Sequence, residues 1–444
     1  MTSPPTTNIP VAIPAGQRSP DQPPPPTTIA GSLSGIPGAR TVANRLLHGT
    51  PGRMRLFGLL AVVAALVLGS VSVTALLASQ NAVERAANNT AQVVLAQSLH
   101  VELLRADAIA TNAFLVGGLE PPASRQAYEA AMASVATGIA QASAAQPADA
   151  EALGVLSTQV QQYAALVEQA RTNNRSGLPL GAQYLKQASA GLRADAIPTV
   201  SAVVSANEDR ARTEFDRSNS SLQLAFGVLA LIALVGVAIW LARRTHRYVN
   251  VSLTAGIVLL LIGLVVASVT IGSISQATKQ VAAGTYQRAV ALADVRTFAN
   301  DARANESLTL IARGSGQANQ DAWKSASDQV VKILGENDGL NYLESQWTAY
   351  AQSHAAIRKL DDGGKWDDAV KAATTSGAGS ASAQFATFDT SVTQARDAAA
   401  RSAVRQLQAV GGSAPWFALA IGLATLVACW LVIRGIGKRI EEYR

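Results

Sequence analysis

The sequence predicts an all-α membrane protein with four transmembrane helices in two tandem units, each made of a span, a four-helix bundle and a second span. Three observations carry this prediction: four apolar runs without Asp, Glu, Lys, Arg or His, a regular spacing of those runs, and helical periodicity between them. Aromatic residues are only 5% of the chain, which suits Ala-rich helices better than sheets. The single cysteine, Cys429, excludes an intrachain disulfide framework.

The four apolar runs are long enough to cross a bilayer, since about 20 helical residues span the ~30 Å hydrocarbon core. They occupy residues 56–78, 222–242, 248–273 and 415–433, which we name the first to fourth spans. Four buried core helices in a soluble protein are the weaker alternative. The first span follows a long hydrophilic tail and has no A-x-A cleavage site after it, so we predict a retained anchor and not a signal peptide.

The basic residues predict the orientation of the chain. The N-terminal tail (1–55), the loop 243–247 and the C-terminal tail (434–444) carry twelve Lys or Arg and three acidic residues, a net charge of +9. The long regions 79–221 and 274–414 together carry −3. Basic residues beside short loops mark the cytoplasmic face. We therefore expect a multi-pass plasma-membrane protein with both termini in the cytoplasm and both long regions outside.

The two long regions are predicted to be helical bundles, and we name residues 79–221 the first bundle and residues 274–414 the second bundle. Apolar residues recur at three- and four-residue spacing, which is the stripe of a helix that faces a bundle core. The stripe of the first helix contains Val93, Ala96, Leu99, Leu103 and Ala106. Breaks are expected at 117–122, 147–149 (with Asp149 as an N-cap) and 173–179, a kink at Pro198, and further breaks at 314–316, 335–339, 361–364 and 377–379.

The two units are predicted to be copies of one another. Their corresponding spans begin about 193 residues apart, and Tyr163 and Gly177 recur as Tyr350 and Gly364 at an offset of 187 residues. A fixed period of this kind is typical of an internal duplication.

Small residues at four-residue spacing predict close packing of the spans. Ala61, Ala65 and Gly69 lie in the first span, and Ala418 and Gly422 lie in the fourth. The spans hold no Asp, Glu, Lys, Arg or His, which argues against a transport path.

The N-terminal tail (1–55) is predicted to be disordered because it holds eleven of the seventeen prolines and few apolar residues. The alternative is a recruitment or phosphorylation segment. No nucleotide-binding, zinc-protease or hydrolase motif is present, and the four histidines are scattered. We therefore expect no enzymatic activity, no cofactor, no metal site and no nucleic-acid partner.

Polar side chains near the middle of each bundle's first helix are the candidate ligand or partner residues. They are Arg105, Asp107 and Asn112 in the first bundle and Asp301, Arg303, Asn305 and Glu306 in the second. The alternative is a solvated face or pairs between helices. On the cytoplasmic face, Arg243, Arg244 and Arg247 are candidates for relaying a signal, the alternative being an anchor on anionic membrane lipid.

A four-helix bundle between two spans resembles the sensor domains of bacterial chemoreceptors and histidine kinases. Only short basic segments follow the spans, so we expect any output to pass to a separate protein. The tandem layout, the Pro-rich tail and the Ala/Arg/Val-rich composition resemble the actinobacterial GlnX-type membrane protein over nearly the whole chain.

The resemblance to the GlnX-type protein implies a transmembrane signal transducer. Its expected partners are an extracytoplasmic glutamate/aspartate-binding lipoprotein and a soluble Ser/Thr protein kinase of the protein kinase G type, and a homodimer is compatible with it. An envelope scaffold and, less favoured, a transporter subunit stay open as alternatives.

Overall fold

The computed structural model describes residues 50–117, 119–217, 221–245 and 250–441. Every regular element in these ranges is helical. Positions 1–49 of the predicted N-terminal tail, 246–247 of the loop and 442–444 of the C-terminal tail lie outside them. Contacts divide the chain into a unit that ends at Leu56 and a unit from Phe57 onward, and the second unit contains both bundles.

The first half of the chain follows the predicted division into helices. α1 combines the first span and the first helix of the first bundle in a single helix of 67 residues. A 3₁₀ turn (Pro147–Asp149) precedes α3, and a π turn (Leu192–Ala196) joins α4 to α5. The helices are α1 (Thr50–Val116), α2 (Pro122–Ala145), α3 (Ala150–Arg175), α4 (Leu180–Gly191), α5 (Ile197–Arg217) and α6 (Ser221–Thr245).

The second half has the same order of long helices and one additional short helix. A π turn (Ala282–Tyr286) joins the third span to the bundle, and the stretch between the last two predicted breaks forms the short helix α11. The helices are α7 (Val251–Val281), α8 (Gln287–Ile311), α9 (Gln317–Glu336), α10 (Asn341–Asp362), α11 (Trp366–Thr374), α12 (Ala381–Gly411) and α13 (Ala414–Glu441).

Glycines end several helices in the left-handed conformation. Gly177 (φ +69°) follows α3 and Gly364 (φ +73°) follows α10, so these two matched glycines have the same role in the two bundles. This parallel agrees with the predicted duplication, which stays a prediction.

Asp149 holds the predicted N-cap position of α3 but does not cap the helix with its side chain. It instead accepts hydrogen bonds from Asn207 (2.7 Å) and Arg210 (2.6 Å) of α5, and its backbone (φ −96°, ψ −2°) is helical, whereas a capping residue is usually extended. In place of the kink predicted at Pro198, the helix contains the π turn Leu192–Ala196, which ends two residues before the proline. The wide turn suits a residue that lacks an N–H and clashes with the preceding turn.

One hydrophobic core runs through both bundles, and the predicted stripe of the first helix is buried. The largest fully buried side chains, Trp347, Tyr350 and Phe388, lie in the second bundle. Trp347 and Phe388 pack with ring centroids 5.0 Å apart. Because the core is shared, the bundles do not move independently without exposing apolar surface.

Four helical stretches of the described chain are long and apolar enough to cross a membrane, so this is an all-α, multi-pass membrane protein. They are Met54–Val116, Ala225–Arg243, Val251–Ile311 and Ala381–Lys438. Spans of both halves pack on one another through a cluster that includes Leu76, Ile271 and Ile421.

Candidate functional site

Arg193 connects the first bundle to the second through two carboxylates. Its guanidinium lies 2.7 Å from Asp107 Oδ2 on α1 and 2.7 Å from Asp301 Oδ1 on α8. Arg193 belongs to the π turn between α4 and α5, and such turns are frequent at functional sites because they redirect side chains. The bridge therefore joins three helices at the boundary of the bundles.

Asp107 is the fully buried end of this bridge, with its side chain 0% exposed. Ser189 donates a hydrogen bond to Asp107 Oδ1 at 2.6 Å, and the Tyr163 hydroxyl donates to the same oxygen at 3.4 Å. Burial, followed by the charge of Asp107, raises the pKa of Tyr163, which keeps the phenol protonated as a donor. A buried carboxylate with these partners is costly to leave without its arginine.

A second bridge between the bundles is centred on Arg296 of α8. Its guanidinium contacts Asp389 of α12 at 2.7 Å and reaches Glu102 of α1 at 3.2 Å. Glu102 also accepts a hydrogen bond from Arg105 at 3.1 Å. Two ion bridges thus cross the same boundary, and we name their members the interbundle layer: Glu102, Asp107, Arg193, Arg296, Asp301 and Asp389.

Glu306 and Arg303 form a buried ion pair inside the second bundle. His354 donates to Glu306 from Nδ1 at 2.7 Å, and the Tyr350 hydroxyl donates at 3.3 Å. Burial by itself raises the pKa of Glu306, but Arg303 and the hydrogen bonds outweigh it and hold that pKa below the usual value. Glu306 is therefore an ionised carboxylate in the core.

A crevice of about 330 Å³ lies between the bundles, beside the interbundle layer. It is lined from α1 and α2 on one side and from α8 and α12 on the other. Three of the candidate residues line it, namely Arg105, Asn112 and Arg303.

The structure brings most of the seven candidate residues to this boundary. Asp107 and Asp301 share Arg193, and Arg105, Asn112 and Arg303 line the crevice. Asp107 and Asp301 pair between helices through Arg193, whereas Arg105 and Arg303 pair with Glu102 and Glu306 on their own helices. Glu306 lies in the second bundle's core, and Asn305 bonds back to Asp301 O of its own helix at 2.9 Å.

Among the candidate relay arginines, Arg243 is exposed near the end of α6. The side chain of Arg244 and the whole of Arg247 lie outside the described residues.

Sequence reasoning missed several residues of the interbundle layer and of the crevice. Arg296 and Asn300 lie one turn apart on α8, just before Asp301 and Arg303, so the polar pattern of this helix was a local signal for them. Arg193 lies in the π turn between α4 and α5 and Asp389 lies on α12, and neither gave a local signal. Their partners are distant in sequence and are found only by folding.

Comparison with known proteins gives a family match in the first bundle. Residues 82–216 match the family model described as the actinobacterial sensor domain. Neither a curated protein nor a solved structure matches the chain significantly. The match supports a sensing role for the chain and covers the α1 side of the crevice.

Proposed function

We propose that this chain, with a sensor domain in its first bundle, is a non-enzymatic transmembrane sensor. The observation that carries the proposal is the unbroken helix α1, which runs from Thr50 through the first span to Val116. A helix of 67 residues is about 100 Å long. It connects the crevice region to the membrane interior without a joint.

Two of the four spans continue into the first helix of a bundle in this way. α7 passes through the π turn Ala282–Tyr286 into α8, which carries Arg296 and Asp301. A ligand shifts such helices only if it binds two packings of them with different affinity. The ion bridges of the interbundle layer offer contacts that one packing makes and another loses.

The input that we propose is an extracytoplasmic nutrient signal, an acidic amino acid delivered by a solute-binding lipoprotein. The output is a cytoplasmic Ser/Thr protein kinase. The resemblance to the GlnX-type protein supports these partners, and the basic short loops support a plasma-membrane orientation with both termini in the cytoplasm. In that orientation Arg243 lies on the cytoplasmic face, available to a partner.

Breaking α1 between the span and the bundle tests the relay. Asn81 is exposed and lies just beyond the first span, so Asn81→Pro interrupts the helix without removing a core side chain. Proline in a helix interior costs about 3 kcal/mol locally and kinks the helix. We expect loss of the change in kinase-substrate phosphorylation when cells are given or denied glutamate and aspartate.

Asn81→Ala is the matched control and should keep the response. Membrane level and thermal stability of both variants are measured alongside. A normal response in well-folded Asn81→Pro would contradict a relay through α1.

A further inference from the structure

The crevice between the bundles has the composition of a small-molecule site. Its volume of about 330 Å³ is at the lower end of the range for ligand pockets. Ile109 and Phe385 give it apolar walls, and polar groups converge on it from both bundles. The lining of the crevice includes Arg105, Ile109, Asn300, Phe385 and Asp389.

Asn300 presents a buried acceptor that has no hydrogen-bond partner among the residues that the structure describes. Its Nδ2 donates to Arg296 O at 2.9 Å and to Asp389 Oδ1 at 3.3 Å. Because both of these atoms are acceptors, the orientation of the amide is fixed and the other atom is the carbonyl oxygen. Asn300 is 1% exposed, and within the described part of the chain Oδ1 has no hydrogen-bond partner. A buried polar atom of this kind calls for a donor.

Arg105 and Asp389 provide opposite charges in the same crevice. The Arg105 side chain is 36% exposed, and its Nη1 donates to Glu102, which leaves further N–H groups for an anion. Asp389 is 15% exposed, and Arg296 donates to Oδ2 at the long distance of 3.3 Å. Asp389 Oδ2 can therefore accept another donor beside Asn300.

The charges around the crevice balance. Arg105 pairs with Glu102, Arg303 with Glu306, and Asp389 with Arg296. Because the crevice has no excess charge, it favours a ligand whose net charge is zero. Because its positive and negative side chains are separated, it favours a ligand that carries one group of each sign.

We infer that the crevice binds a small zwitterion of the α-amino-acid type, with its carboxylate on Arg105 and its ammonium group on Asn300 and Asp389. The inference deepens the proposed sensing role and rests on it for its biological meaning, since a ligand here holds both bundles at once. The side chain of the ligand packs between Ile109 and Phe385. Binding occurs next to the Glu102–Arg296 contact and so acts on the interbundle layer directly.

The test uses the full chain in lipid nanodiscs and the twenty α-amino acids as separate probes, with binding measured by calorimetry. We expect at least one to bind, and acetate and methylamine, which carry only one of the two charges, to bind at least about tenfold more weakly. Arg105→Gln should weaken the best probe about tenfold or more, as expected for a lost charge-assisted contact.

Arg125→Gln is the matched control, because Arg125 has a 37% exposed side chain, pairs with Glu129 and does not line the crevice. It should change the affinity less than about twofold.

A second pair of variants fills space without altering charge. Ala123 is exposed and lines the crevice, whereas Ala130 is exposed on the same helix outside it. Ala123→Trp should abolish binding, and Ala130→Trp should not.

Three results would overturn the inference: no amino acid binds the folded chain, acetate alone binds equally well, or Arg105→Gln and Ala123→Trp bind like their controls. The proposed function is judged separately. If no amino acid binds in the crevice while Asn81→Pro still abolishes the cellular response, the proposed sensor function is kept and its ligand binds at another place.

Discussion

Arg193 shows how one side chain unites the two bundles. It contacts a fully buried carboxylate, Asp107, and a partly exposed one, Asp301. Losing the contact to Asp107 costs more free energy, because water cannot solvate the buried carboxylate in place of Arg193. Asp301 is 27% exposed, so water screens its charge. The contact therefore fixes how the bundles pair, although the intact ion pair adds little net stability.

Removing the Arg193 guanidinium alone should destabilise the protein, because Asp107 stays buried and charged. Arg193→Gln leaves Asp107 as a buried charge with the hydroxyl donors of Ser189 and Tyr163 but no cation, among the described residues, to balance it, and we expect a loss of about 3 kcal/mol. The measurement is the apparent Tm of the full chain in detergent. Arg212→Gln removes a pair on a 65% exposed arginine of α5 and should cost less than about 1 kcal/mol.

The double variant Arg193→Gln/Asp107→Asn should recover much of the loss, because the unpaired charge is gone. Equal Tm shifts for Arg193→Gln and Arg212→Gln would show that Asp107 is not a critical buried charge.

At the scale of elements, helix packing in the spans depends on positions where a side chain is absent. The predicted close packing holds at Gly69 of α1, where an added Cβ would overlap Thr425 of α13. Thr425 is held by a 2.8 Å hydrogen bond to Ile421 O and cannot easily turn away. The prediction fails at Gly422, where an added Cβ would meet no atom of the described residues within 4 Å.

This difference predicts opposite effects of one substitution. Gly69→Ala should force α1 and α13 apart and cost about 1–3 kcal/mol, as overpacking does. Gly422→Ala should be neutral or slightly stabilising, since alanine favours a helix over glycine. Thermal unfolding in detergent compares the two. A stable Gly69→Ala protein would mean that these helices are not in the close contact described.

At the scale of the whole molecule, the four spans and the two bundles make one assembly from Phe57 onward. The spans of both halves share an apolar cluster and the bundles share a core. A change at the boundary of the bundles therefore has a packed route to the membrane through α1 and α7. Whether this route carries a change from outside the cell to the inside depends on the membrane orientation that the basic loops predict.

Trypsin added to intact spheroplasts tests the orientation. Arg175 precedes the exposed turn after α3, and Lys365 lies in the exposed turn before α11. We expect cleavage at both sites in intact spheroplasts, and cleavage in the loop 243–247 only after detergent treatment. Peptides identified by mass spectrometry give the result, and the reverse pattern would invert the topology.

The sequence by itself determined the all-α class, the four apolar helices and the breaks at glycine and proline between the bundle helices, but not the π turns at Leu192–Ala196 and Ala282–Tyr286 or the break between α12 and α13. The features that it determined depend on local rules: a charge-free run of bilayer length, a repeating apolar stripe such as Val93 to Ala106, and breaks at glycine and proline such as Gly177. Local propensity and hydrophobic pattern act within a few turns of the chain, so they can be read without the fold.

Only the tertiary structure decided which charges meet. Asp149 pairs with α5 and does not cap α3, Gly69 packs while Gly422 does not, and Arg193 finds Asp107 across 86 residues of chain. These outcomes depend on which helix faces which, and on the depth at which a charge is buried. Ion pairing and close packing are contact interactions between distant segments, so no local pattern specifies them until the bundles have assembled.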